Sequence, residues 1–142
     1  MTRWISNELR QTIADRAKQF CEYCLIAEAD TFYGCEVDHI ISLKHGGSTE
    51  PENLAYACAL CNRAKGTDVG SIASSGVFTR FFNPRADRWT EHFRLETATI
   101  HPLTLIGEVT ARILSFNDSA RLHEREELIR LGTYPSGGAE NS

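Results

Sequence analysis

No stretch of the 142-residue chain approaches the roughly 20 consecutive apolar residues that a membrane-spanning helix requires. The opening MTRWISNELR lacks the apolar core of a secretory leader, so none is expected, and a cytoplasmic setting follows as the expectation. A surplus of positive charge is also missing. The formal net charge is −4, which weakens a simple polyanion-binding reading without excluding it, since the placement of charge matters more than its sum. No internal repeat and no helix-turn-helix are visible, which leaves no identifiable base-reading element. The cysteine count is odd, at five, which argues against a fully paired disulfide framework. In a reducing compartment, metal binding or catalysis is the better use of such thiols.

Four of those cysteines fall in two Cys-x-x-Cys pairs, Cys21/Cys24 and Cys58/Cys61. Each pair can turn both sulfurs toward one centre, and two such knuckles suit a tetrahedral Cys₄ site holding a structural zinc. A redox use would need a βαβ setting, and none is evident. Cys35 is left over and reads as a small apolar residue in a strand.

Between the knuckles, CEVDHII (35–41) has strand propensity, with Val37 and His39 on one face and Asp38 on the other. Residues 42–52 read as a turn-rich loop, 54–58 as a short returning strand, and 59–65 as a helix stopped by Gly66. Upstream, 6–20 reads as an amphipathic helix capped by Ser6, with Leu9, Ile13, Ala17 and Phe20 as its apolar stripe. Downstream, 67–79 reads as a polar connector, 92–101 as a hairpin, and 105–116 and 119–131 as helices, the second facing inward through Leu122, Leu128, Ile129 and Leu131. The segment from Pro135 is expected to be disordered.

Asp38-His39, then Asn53, then Cys58-x-x-Cys61-Asn62-x-x-Lys65 resembles the HNH endonucleases of the ββα-metal fold, with Asn62 in the place of the last His of the name, an HNN variant. The resemblance covers residues 21–66 and extends more loosely through 82–93 to small stand-alone bacterial members. It implies an α+β fold: a ββα-metal core stapled by the Cys₄ zinc site, with the N-terminal helix and C-terminal helices packed around it. The expected organisation is one domain over 1–134, core 21–66, an extension over 80–131, and a tail over 135–142. The implied activity is hydrolysis of DNA phosphodiester bonds, most simply in double strands.

In that reading His39 is the general base, Asp38 and the Asn62 carbonyl hold one catalytic Mg²⁺ or Mn²⁺, and Asn53 fixes the loop and the orientation of His39. Arg63 and Lys65, and further on Arg85 and Arg88, are candidate phosphate contacts. Residues 21–62 carry one lysine and seven acids, a net of −6, and the basic residues follow directly after. The rival reading is a catalytically inactive zinc-stabilised module that binds nucleic acid or protein.

Overall fold

The computed structural model describes residues 4–135. Within them, short elements are gathered around two packed clusters of side chains, and the arrangement is mixed α+β as expected. Helix α1 spans Asn7–Arg16 and begins where Ser6 Oγ accepts a 3.0 Å hydrogen bond from the Leu9 amide. It stops four residues short of the expected end. Lys18 and Gln19 both take positive φ, which turns the chain out of the helix and into an isolated bridge between Phe20 and Ala27. That bridge frames the first cysteine knuckle.

Strand β1 (Cys35–His39) pairs antiparallel with β2 (Leu54–Cys58), in a register that sets Asp38 opposite Ala55 and His39 opposite Leu54. Every residue of β2 is buried, so both its faces are covered. Leu54 and Tyr56 pack with Ile13 and Ala14 of α1 and with Ala17, which caps its end. Ala55 and Ala57 face the larger cluster, and their small side chains let helix α2 (Ala59–Lys65) come close over the hairpin. Arg16 then locks α1 to the hairpin, donating to the carbonyls of Pro51 (3.0 Å) and Leu54 (2.6 Å).

The stretch expected to be a plain connector instead holds a hairpin, β3 (Gly70–Ile72) with β4 (Phe78–Arg80). Its outward residues Ile72, Val77 and Phe78 are exposed, so no apolar alternation marks it. A single turn, α3 (Trp89–His92), leads into the expected hairpin, β5 (Phe93–Glu96) with β6 (Thr99–Pro102). Helix α4 (Leu105–Ile113) is capped by Thr104, whose Oγ1 accepts from the Gly107 amide at 3.0 Å. The aromatics of the extension, Phe81, Phe82, Trp89 and Phe93, are core residues.

Helix α5 (Ser119–Arg130) packs Leu128 against the core as expected, but leads its inward face with arginines rather than with Ile129 and Leu131. Arg121 and Arg125 are its buried residues, whereas Ile129 and Leu131 are exposed. Arg125 is satisfied by the carbonyls of Ala98 (2.7 Å) and Phe116 (2.6 Å). Gly132 ends the helix with φ near 82°. The expected disordered tail lies outside the described residues except for Pro135. No described helix is long and apolar enough to cross a membrane.

Candidate metal centre and catalytic cleft

The four knuckle cysteines converge in the core. Their sulfurs all lie within 4.8 Å of one another, and Cys24 and Cys58 are 3.7 Å apart. Four ligands about 2.3 Å from a tetrahedral zinc stand about 3.8 Å from each other, so the spacing suits that ion. Backbone amides already point at the sulfurs: those of Tyr23 and Cys24 at Cys21 Sγ, and that of Cys61 at Cys58 Sγ, each at 3.4 Å. Such N–H···S bonds favour thiolate over thiol. Burial pushes the Cys21 and Cys61 thiols up, whereas hydrogen bonds from the other three sulfurs hold Cys24 down. The cluster therefore carries negative charge most easily when shared. Cys35 stands apart, half-buried in β1, with its thiol raised by burial.

Arg121 supplies the matching positive charge. Its Nη2 lies 3.1 Å from Cys61 Sγ and 3.9 Å from Cys58 Sγ, and Nη1 donates to the Leu114 carbonyl at 2.6 Å. Sequence reasoning passed over this residue because an arginine in a polar helix reads as solvent-facing; only its i, i+4 pairing with Arg125 hints at a shared buried face.

Helix α2 leaves this cluster through Cys61 and immediately presents Asn62 to a second place. Asp38, His39 and Asn62 line one open cleft, together with Ser42, Lys44 and Thr67. Asp38 is 3% exposed. Its Oδ2 accepts from the Tyr23 hydroxyl at 2.8 Å, and its Oδ1 faces the Lys65 ammonium at 3.2 Å. Burial pushes the Asp38 carboxyl above the usual range, while the Lys65 charge pulls it back. His39 is lowered below the ordinary imidazole value, by burial first, so it is neutral at neutral pH. Its Nε2 lies 3.1 Å from Thr49 Oγ1. The Asn62 amide donates to Glu36 Oε2 at 3.2 Å.

Asn53 stands away from the cleft and braces the loop behind it. Its Nδ2 donates to the carbonyls of Ile41 (2.9 Å) and Ser48 (2.8 Å), and its Oδ1 accepts from the Ile41 amide at 2.9 Å. Gly47 sits against this bracket: a Cβ there would fall 1.7 Å from the Ile41 carbonyl oxygen and 2.7 Å from Asn53 Nδ2.

The four candidate phosphate contacts divide. Lys65 is corrected: it is 1% exposed and spent on Asp38 and the His39 carbonyl (3.0 Å), because its helix position sets the ammonium against the buried carboxylate of β1. Arg85 is also withdrawn, paired with Glu22 and turned toward the Leu54 carbonyl. Arg88 is exposed and precedes α3, and Arg63 is exposed on α2 with its guanidinium 6.0 Å from the Tyr33 ring. His45 lies exposed in the loop, and His92 is engaged with Thr104 Oγ1 at 2.7 Å.

Among the described residues, the four cysteines are the one group of three or more His, Cys, Asp or Glu placed to share an ion. Any second ion would rest on one carboxylate and one amide, which leaves most positions to water and phosphate oxygens.

A family model described as HNH endonuclease matches residues 21–68. No curated protein and no solved structure matches the chain. The matched stretch begins at the first sulfur of the thiolate cluster and ends three residues beyond α2, so that it holds both cysteine knuckles, the β1/β2 hairpin and the cleft. Residues 21–68 therefore carry the likeness to the HNH endonuclease family, and the four cysteines within them are arranged to hold a metal ion, as a zinc site would be.

Proposed function

We propose that this protein is a divalent-metal-dependent endonuclease that hydrolyses DNA phosphodiester bonds in the cleft of Asp38, His39 and Asn62. The observation that carries it is the convergence of these three side chains on one open cleft at the mouth of the β1/β2 hairpin. His39 acts as general base. It is neutral at neutral pH, and with Nε2–H donating to Thr49 Oγ1 its Nδ1 lone pair takes the proton from the attacking water. Asp38 and the Asn62 carbonyl are the hard oxygen donors for one Mg²⁺ or Mn²⁺. Both Asp38 oxygens have a partner but each keeps a lone pair, and with the Asn62 side-chain Nδ2 turned to Glu36 its Oδ1 is available as a donor to a metal, so the donor set fits. Such an ion would neutralise charge developing on the phosphate. Asn53 holds the loop between the strands and keeps His39 at the cleft; the cysteine cluster, loaded with zinc, holds α2. The phosphate backbone would meet Arg63, and Arg88 from the extension.

A supercoiled plasmid incubated with the purified protein and Mg²⁺ or Mn²⁺ is expected to be nicked. EDTA and His39→Ala should each stop the reaction, the latter by about 10²–10⁴-fold. Nicking at the native rate by folded His39→Ala protein would overturn the mechanism. Parallel single-stranded and RNA substrates define the substrate class.

One observation favours a second reading. The Lys65 ammonium already lies on Asp38, as it would in a non-catalytic zinc module that binds nucleic acid or protein. Tight DNA binding with no cleavage under any divalent ion would select that reading.

A further inference from the structure

Tyr23 lies inside the first cysteine knuckle, between two thiolate ligands, yet its hydroxyl reaches the cleft. The side chain is wholly buried and its Oη donates 2.8 Å to Asp38 Oδ2. Nothing about the rest of the residue is free to move. Its amide points at Cys21 Sγ at 3.4 Å, and its carbonyl accepts from Trp89 Nε1 at 2.8 Å. Its ring meets Phe82 edge-on, with centroids 6.4 Å apart and planes at 79°. The thiolate cluster, the extension and the aromatic core thus all fix the place of one hydroxyl.

That hydroxyl decides which way the Asp38 carboxylate faces. With Oδ2 held by Tyr23, only Oδ1 meets the Lys65 ammonium, at 3.2 Å. Remove the hydroxyl and Lys65 becomes the one hydrogen-bond partner, among the described residues, of a carboxylate that is 3% exposed. A buried carboxylate turns toward the remaining donor so as to satisfy both oxygens, and here that means turning onto Lys65.

We propose that Tyr23 is a positioning residue for divalent-ion binding, which transmits the geometry of the thiolate cluster to Asp38 and keeps its carboxylate from collapsing onto Lys65. The inference rests on Asp38 as a ligand of the divalent ion. It adds a residue that touches neither substrate nor metal, and a route by which one metal centre prepares the other.

The test uses zinc-loaded full-length protein and Mn²⁺, followed by electron paramagnetic resonance without nucleic acid. Tyr23→Phe keeps the ring and deletes only the hydroxyl. It is expected to retain native zinc content, melt at a lower temperature, and bind Mn²⁺ about tenfold more weakly, the effect of one hydrogen bond to a charged group. Native Mn²⁺ affinity in Tyr23→Phe, with or without a lower melting temperature, overturns the proposal, because a merely structural hydroxyl would move only the melt. If Tyr23→Phe yields no folded protein, Trp89→Phe decides. It loosens the same residue from behind, and should weaken Mn²⁺ binding several-fold; native affinity there overturns the proposal. His39→Ala separates this from the nuclease reading. It should bind Mn²⁺ as the native protein does while losing cleavage, so cleavage that survives it refutes that reading and leaves the Tyr23 result to stand or fall separately.

Discussion

Replacing Arg121 with methionine tests whether the thiolate cluster depends on a counter-charge from outside the matched family segment. A zinc held by four thiolates carries a net charge of about −2. Arg121 Nη2 approaches it at 3.1 Å from Cys61 Sγ, on a side chain only 7% exposed. At such distances each pair of unit charges interacts by about 4 kcal/mol for an effective dielectric of 20, and desolvation of the guanidinium takes back much of that. The net worth of a charge-assisted hydrogen bond, about 1.5–3 kcal/mol, is the appropriate scale. Methionine keeps much of the aliphatic stem, so the loss is charge and donors rather than volume. It also strips the Leu114 carbonyl of its 2.6 Å donor, which costs about 1–3 kcal/mol whether zinc is bound or not. Zinc affinity isolates the electrostatic part. Competition with a chromophoric chelator at fixed pH should show Arg121→Met binding zinc on the order of 10- to 100-fold more weakly. Arg121→Lys, which keeps charge but not the fork, should fall between. Zinc affinity unchanged in Arg121→Met, alongside a lowered melting temperature, would refute the reasoning and reduce Arg121 to a clip for carbonyls.

Gly47→Ala should destabilise the protein by about 2 kcal/mol or more in chemical denaturation, because its Cβ would strike the Ile41 carbonyl oxygen at 1.7 Å; native stability would mean that the loop yields freely. Cys58→Ser removes a ligand and the sulfur that accepts the Cys61 amide at the start of α2, so zinc content by elemental analysis should fall from about one per chain to near zero, with helical circular dichroism lost alongside. Retention of the metal in that variant would contradict the Cys₄ assignment. Asp87, gripped by Arg80 at 2.7 and 2.9 Å, has its carboxyl held below the usual range, by that hydrogen-bonded arginine first. A depressed native value stabilises above the unfolded pKa of about 3.9 and the gain is lost as pH falls through the native value. With Arg80 half exposed, Asp87→Asn should cost about 0.5–1 kcal/mol at pH 7 and less at pH 3, as urea melts at the two pH values would show.

The hairpin and helix that bear the cleft were legible in the sequence because local signals agreed there. LAYAC has strand propensity and no breaker, Gly66 stops the helix, and the two knuckles mark both ends. Observed β2 and α2 match the expected bounds, and β1 ends two residues sooner, where Asn53 takes over the hydrogen bonds of Ile40 and Ile41. What stayed hidden depends on partners far away in the chain. Lys65 reads as a solvated helix lysine until Asp38, on another element, is placed beneath it. Tyr23 looks like knuckle filler unless its hydroxyl is followed across the core. The β3/β4 hairpin escaped because a two-stranded ribbon with exposed Ile72, Val77 and Phe78 has no buried face to impose alternation. In α5 Leu128 faces the core as expected, but the two residues that share its face are buried arginines with backbone and sulfur partners, while Ile129 and Leu131 are exposed.

Helix α2 is seven residues long, well below the length at which a helix holds itself together in water. Its first turn hangs on Cys58 Sγ, and the charge of the cluster is answered at Cys61 Sγ from sixty residues further on, in α5. The recognisable segment is therefore not a transplantable cassette. Residues 21–68 grafted into another host would bring the ligands and the cleft but leave behind the cation that balances them and the tryptophan that pins Tyr23. A protein engineer borrowing this core would have to move the chain through Arg121, or supply a substitute charge at the same cluster.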